Sequence, residues 1–149
     1  MDCDAIPGMR DIKVSGNLMK GTQAYTSYDS DSGRIYVSIR GSSNIPNWIE
    51  NIDVVRDSYA GCSGCSVHSG FKNAFNSLQA SILANVKQLV SKYPLAEVYV
   101  TGHSLGGAIA ALVALDLNNN AIRVHSFITF EQPRVGNKAF ANYFHIVFP

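Results

Sequence analysis

Ser104 has the sequence surroundings expected of a catalytic nucleophile. It is the central residue of Gly-His-Ser-Leu-Gly at 102–106, between a β-branched and aromatic run at 98–101 and a small-residue helical pattern at 107–112. Strand, tight turn and helix in this order make a nucleophile elbow, and the two glycines permit a close backbone approach. The pattern predicts a strained serine at the tip of the turn, with a helix N-terminus beside it to stabilise an oxyanion. The alternative is a glycine-rich turn holding an ordinary serine.

The composition suits a globular protein and argues against nucleic-acid binding. Its 149 residues are enough for one domain with a sizeable core. Lysine and arginine total 12, aspartate and glutamate total 11, and the net charge is +1, whereas nucleic-acid binders carry a basic patch. The longest apolar run, 105–115, is too short to cross a bilayer and predicts a buried helix. The start, Met-Asp-Cys-Asp, lacks the features of a signal peptide, so we expect an intracellular protein or a start further upstream.

The three cysteines favour one small disulfide. Cys62 and Cys65 lie in a polar stretch at 58–66 and precede a strand-like segment, whereas a redox-active pair would begin a helix. No second Cys/His pair has the ligand spacing of a zinc site. Cys3 has no partner unless it reaches one half of that pair, and a disulfide would indicate an oxidising compartment.

Hydrophobic periodicity predicts alternating strands and helices. A hairpin is expected from strands at 23–28 and 34–40, whereas 1–21 gives no firm element. Further elements are a helix at 70–92 capped by Ser69, strands at 98–101 and 123–131, the elbow helix, and a helix at 138–145. This order implies a largely parallel sheet covered on both faces. The carboxyl ends of its strands, where chemistry collects, carry Ser42, Ser104 and Glu131.

A short amphipathic helix is predicted after the strand at 34–40. Its apolar face consists of Ile45, Trp48, Ile49 and Ile52. Two interpretations stay open at this point: a small helix packed on the core, which periodicity alone favours, or a mobile flap that opens onto a lipid surface.

Five blocks of the sequence share a pattern with one known family. They are residues 36–43, 47–49, 67–71, 100–108 and 132–141. Taken together, they resemble the fungal-type (class 3) lipases of the α/β-hydrolase superfamily, a family that also includes feruloyl esterases. The resemblance covers roughly residues 22–144. It implies the α/β-hydrolase fold, a mostly parallel central sheet with helices on both faces.

The resemblance also implies roles for individual residues. Ser104 would attack an ester carbonyl and form an acyl-enzyme, and no metal or organic cofactor would be needed. The backbone N–H of Leu105 and the Ser42 residue would hold the oxyanion. The segment with Trp48 would be a lid over the site, formed by the apolar face defined above. Cys62 and Cys65 occupy a place where some relatives carry a small disulfide.

The histidines of this sequence do not match the triad histidine of the family. His103 and His68 lie in family blocks but are expected to be structural, His125 is expected to be a partly exposed bystander, and His145 falls in a predicted helix. The family's triad aspartate and histidine come after the blocks quoted above, and the sequence ends at Pro149 before either. We therefore expect 1–149 to be one partial domain, incomplete at its C-terminal end, and poorly soluble or partner-dependent by itself.

One residue departs from the family pattern. Glu131 stands where the family usually has glycine, and some other α/β-hydrolases place the triad acid after this strand. Glu131 is therefore a candidate substitute acid, whereas Asp116 on the elbow helix lies away from the strand ends.

The resemblance predicts a serine ester hydrolase that acts on acylglycerols at a lipid interface. Two alternatives stay open: an inactive lipase-like fragment that binds lipid or a partner through the flap, and an esterase for feruloyl or other soluble esters. The family implies secretion, whereas the first residues of the sequence as written do not predict a signal peptide.

Overall fold

The computed structural model describes residues 6–17, 21–41 and 55–149. Its elements alternate between strands and helices after an all-β start, as the periodicity predicts. In chain order they are β1 (Met9–Asn17), β2 (Thr22–Asp29), β3 (Arg34–Ile39), β4 (Arg56–Ser58), β5 (Ser66–His68), α1 (Ser69–Lys92), β6 (Glu97–His103), α2 (Leu105–Asn119), β7 (Val124–Phe130) and α3 (Lys138–Val147).

A mixed sheet with the strand order β1-β2-β3-β6-β7 forms the centre of the described part of the chain. The predicted hairpin is confirmed, since β2 and β3 pair antiparallel from Ala24 opposite Ile39 to Asp29 opposite Arg34. Strands β3, β6 and β7 run parallel. Helices α1 and α2 make the crossovers that parallel neighbours require. The parallel part of the sheet therefore brings the carboxyl ends of β3, β6 and β7 to one edge.

Strand β1 was not predicted from the sequence. It pairs antiparallel with β2, and its register breaks between Arg10 and Lys13, where Asp11 adopts a φ of 51°. A bulge of this kind interrupts the alternation by which a strand is identified. Val14 is exposed on this strand and Ser15 is buried. The polarity of the residues therefore does not indicate which face of β1 is buried.

The two long helices pack against each other and against the strands, and they carry most of the core. Every residue of 105–115 in α2 is buried, which confirms the prediction of a buried helix. None of the helices in the described ranges has the length and apolar character that crossing a bilayer needs. The predicted apolar stripe of α1 is confirmed, and its buried members are Phe71, Phe75, Leu78, Ile82, Val86 and Leu89.

The predicted cap of α1 is wrong by one residue. Ser69 is the first residue of the helix, and His68 is the cap: its Nδ1 accepts a hydrogen bond from the Gly70 N–H at 3.1 Å. A histidine can replace a serine here because an unprotonated ring nitrogen is also an acceptor for a free helical N–H.

A small hairpin of β4 and β5 joins the sheet region to α3. Cys62 and Cys65 form a disulfide within its turn, which confirms the predicted pairing. The Asn137 side chain fixes this hairpin to α3. It accepts hydrogen bonds from the N–H groups of Ser66 at 3.2 Å and Phe140 at 3.0 Å, and it donates to the Gly64 carbonyl at 2.8 Å.

Candidate active site

Ser104 occupies the tight turn between β6 and α2, as the sequence predicts. Its backbone has φ 53° and ψ −124°, a conformation that L-residues rarely adopt. Its N–H donates to the Phe130 carbonyl at 2.9 Å, and its own carbonyl accepts from the Gly107 N–H at 2.9 Å. The side chain makes no capping bond to α2, so the hydroxyl is not engaged by its own helix. Such a strained, firmly held backbone is typical of functional residues.

Glycines on both sides of Ser104 let three backbone segments meet. A Cβ on Gly102 would collide with Gly106 of α2 and would lie 2.8 Å from the Gly107 nitrogen. A Cβ on Gly106 would collide with the Ile39 carbonyl oxygen and would lie 2.8 Å from the Arg40 carbonyl carbon. The elbow therefore fits directly against the end of β3, and any side chain at either glycine would separate them.

One of the two predicted oxyanion donors, the Leu105 N–H, lies at the N-terminus of α2, and its role stays a prediction. The first N–H groups of a helix have no intrahelical acceptor and carry the positive end of the helix dipole. The Leu105 N–H is the first of these, and Leu105 is buried. Ser42 and the predicted lid (Ile45, Trp48, Ile49 and Ile52) lie outside the described residues, as does Cys3.

The end of β3 comes close to the elbow at Gly41, the residue before Ser42. A Cβ on Gly41 would lie 2.7 Å from the His103 carbonyl oxygen and 3.7 Å from His103 Nδ1. Only glycine fits here without a shift of the backbone. The chain after β3 therefore passes directly beside the peptide that precedes Ser104.

The side chains of three histidines are engaged by groups other than Ser104. His68 caps α1, His103 Nε2 lies 3.0 Å from a Glu131 carboxylate oxygen, and His125 Nδ1 lies 3.1 Å from Glu97. His145 lies in α3, as predicted. Within the described ranges, no histidine ring is hydrogen-bonded to the Ser104 hydroxyl.

The two carboxylates considered as substitute acids have different surroundings. The Asp116 carboxylate on α2 accepts a hydrogen bond from Gln79 of α1 at 2.8 Å, away from the strand ends. Glu131 follows β7 at the same edge as Ser104 and has a φ of 49°. Its carboxylate pairs with His103, a contact that the sequence analysis did not foresee. The role of Glu131 as a triad acid stays a prediction.

Within the parts of the chain that the structure describes, no three His, Cys, Asp or Glu side chains group as a metal site would require. The groups that the described residues bring together at the elbow are a serine hydroxyl, a helix N-terminus and closely packed strand ends.

Comparison with known proteins agrees with this geometry. The family model for lipase (class 3) matches residues 36–149. A lipase from Rhizomucor miehei is 41% identical over 145 residues, which cover 95% of this chain and 40% of the relative. A secreted mono- and diacylglycerol lipase 1 from Fusarium solani is 39% identical over 123 residues, which cover 83% of this chain and 37% of the relative.

Solved structures show the same fold at high similarity. The Rhizomucor miehei triacylglyceride lipase superposes with a TM-score of 0.89 at 39% identity, covering 97% of this chain and 56% of that one. A lipase from Rhizopus microsporus var. chinensis superposes with a TM-score of 0.90 at 32% identity, covering 95% of this chain and 51% of that one. The fold class is therefore that of the α/β-hydrolases, as predicted. The chain belongs to the class 3 lipase family.

The matches cover only part of each relative. This chain spans about two fifths of the length of the curated relatives that it matches. One solved relative is described as a triacylglycerol lipase whose catalytic centre is a serine protease triad. For this chain, the activity of the whole protein and the roles of individual residues are proposals.

Proposed function

We propose that the protein hydrolyses ester bonds of acylglycerols through an acyl-enzyme on Ser104. The observation that carries this proposal is the backbone of Ser104, strained at φ 53° between a parallel strand and the N-terminus of a buried helix. This geometry presents a hydroxyl beside helical N–H groups, which is the arrangement that acyl transfer requires. The names of the relatives, lipases that act on tri-, di- and monoacylglycerols, support the substrate class.

The proposed reaction has two halves. Ser104 Oγ attacks the ester carbonyl and its proton goes to a histidine base, while the carbonyl oxygen gains negative charge. The Leu105 N–H and Ser42 stabilise that charge as the oxyanion hole. The alcohol leaves with the proton held by the histidine, and water then hydrolyses the acyl-enzyme. A catalytic centre of the kind described for the solved relative would supply the histidine and the carboxylate that orients it.

The lid and the compartment are parts of the same proposal. The apolar face of Ile45, Trp48, Ile49 and Ile52 follows β3 closely in sequence, so it can cover the site in water and open onto lipid. Secretion is supported by the names of relatives, one of which is a secreted mono- and diacylglycerol lipase. The Cys62–Cys65 disulfide fits an oxidising compartment.

Hydrolysis of p-nitrophenyl esters by the full chain tests this function. We expect the rate to rise with acyl-chain length and to increase sharply once the substrate forms micelles. Ser104→Ala should lower kcat by about 10³-fold or more. Ser77→Ala, which removes a hydroxyl bonded to Ala74 on the surface of α1, is the matched control and should retain full activity.

Two results would contradict the proposal. Equal rates above and below micelle formation, with a preference for short or feruloyl esters, would indicate an esterase for soluble substrates. No Ser104-dependent hydrolysis at any chain length would indicate a lipase-like protein that binds lipid or a partner without turnover.

A further inference from the structure

His103 and Glu131 form a pair that connects the carboxyl ends of β6 and β7, next to the elbow. In the sheet, His103 of β6 lies opposite Phe130 of β7, and Glu131 follows directly. His103 Nε2 lies 3.0 Å from Glu131 Oε2. Because a carboxylate can only accept, the imidazole nitrogen Nε2 must carry the shared proton. Both side chains are exposed, His103 by 48% and Glu131 by 83%, so the pair favours one orientation of the ring, with a proton on Nε2, without locking it.

The backbone conformation at position 131 is unfavourable for a glutamate. Its φ of 49° lies in the left-handed region, where glycine is favoured and a side chain costs conformational energy. The glutamate at this position adopts the strained backbone conformation, and its carboxylate pairs with His103.

The other side of His103 faces the end of β3. The His103 carbonyl and Nδ1 are the atoms that a Cβ on Gly41 would meet, at 2.7 and 3.7 Å. Gly41 directly precedes Ser42, the proposed second oxyanion residue. The imidazole thus lies between the ends of β3 and β7, immediately before the nucleophile. A shift of this ring would move the peptide that enters the elbow at Ser104.

We propose that Glu131, acting through His103, is a positioning residue for Ser104 and for the Leu105 N–H beside it. The inference rests on the proposed function, since it concerns the reactivity of the same serine. Neither side chain is assigned contact with the reacting atoms. Their pairing limits the range of geometries that the elbow samples, and small displacements of reacting groups carry large rate penalties.

Glu131→Gly separates this role from a contribution to stability alone. Glycine relieves the left-handed strain, so the melting temperature of the full chain should rise by about 2–4 °C. The same change removes the carboxylate, so the second-order rate constant for labelling Ser104 with a fluorophosphonate should fall about tenfold. A residue that merely stabilises the fold would not move these two quantities in opposite directions.

Two further variants complete the test. Glu131→Gln keeps an acceptor for His103 Nε2, so its labelling rate should return to within about twofold of the wild-type rate. Glu97→Gln is the matched control. Glu97 pairs with His125 at 3.1 Å with similar chemistry, at the opposite end of β6 from the elbow. This substitution should leave the labelling rate unchanged.

The outcomes are distinct. If the wild-type protein is labelled and Glu131→Gly is labelled at the same rate, the positioning role is overturned and the proposed function stays intact. A loss of about 10³-fold or more in Glu131→Gln would make Glu131 a catalytic acid and also overturn the positioning role. Wild-type protein that does not label at all would overturn the proposed function and this inference together.

Discussion

The Ser104 N–H donates a 2.9 Å hydrogen bond to the Phe130 carbonyl, and this bond ties the elbow to the neighbouring strand β7. Ser104 also begins α2, where its carbonyl accepts from the Gly107 and Ala108 N–H groups. Its strained backbone is therefore held from two sides, by a strand and by a buried helix. The strain persists because the surrounding structure determines it at more than one point.

The glycines of the elbow give a direct test of this packing. Gly106→Ala places a methyl group against the Ile39 carbonyl, where backbone lies on both sides and cannot move away. We expect a loss of about 2 kcal/mol or more in the free energy of unfolding, with strongly reduced activity. Urea unfolding of the full chain measures the loss.

Gly107→Ala is the matched control for this substitution. A Cβ on Gly107 would meet the Gln132 Cβ at 3.3 Å, and alanine also favours the helix. We expect its free energy of unfolding to stay within about 1 kcal/mol of wild type. If the two variants unfold at the same urea concentration, the close fit between α2 and β3 is not what fixes the elbow.

Asn137 should contribute more to stability than an ordinary helix cap. Its side chain caps α3 at Phe140 and also bonds Ser66 and Gly64 of the β4–β5 hairpin. Asn137→Ala is expected to cost about 1–3 kcal/mol, because a cap is lost and hairpin groups lose their partner. Asn137→Asp keeps both acceptor bonds and should cost clearly less. Equal losses in the two variants, measured by urea midpoints, would contradict this.

Asp11 of β1 bonds to residues at the end of α1, and its contribution to the stability of the fold should depend on pH. Hydrogen bonds from Lys92 at 2.7 Å and Tyr93 at 2.6 Å lower the pKa of Asp11 below its ordinary value of 3.8, with Lys92 the larger cause. A lowered folded-state pKa stabilises the fold above the unfolded-state pKa, and this stability is lost as pH falls through the folded-state pKa.

Asp11→Asn tests that dependence without disturbing the bulge, since asparagine also tolerates a positive φ. Wild type should be the more stable protein at pH 7, by less than about 1 kcal/mol because the pair is largely exposed. The difference should be constant above about pH 5 and should shrink below 3.8. A difference that grows as the pH falls would contradict the assignment.

The sequence allowed the prediction of those features that depend on local pattern. Each of three features can be recognised within a single segment of the sequence: the apolar stripe of α1, the buried helix α2 and the elbow at Ser104. Strand β1 lacks one, because a bulge at Asp11 breaks its alternation and pairing with β2 defines it. A local pattern is therefore sufficient to predict the elbow but not the edge strand.

The contact between His103 and Glu131 depends on information that is absent from either local segment. It requires the register of β6 against β7, which places His103 opposite Phe130. One signal was available in the sequence, namely a glutamate where the family usually has glycine. That departure suggested a substitute acid, whereas the structure shows the carboxylate on His103.

Fluorophosphonate labelling with peptide mapping identifies the reactive serine of the protein. The tryptic peptide of residues 93–123 contains Ser104 as its only serine. We expect one adduct per full chain, located on that peptide and absent in Ser104→Ala, whereas Ser77→Ala should be labelled at the wild-type rate. An unlabelled wild-type protein, or an adduct that persists in Ser104→Ala, would contradict the assignment of Ser104 as the nucleophile.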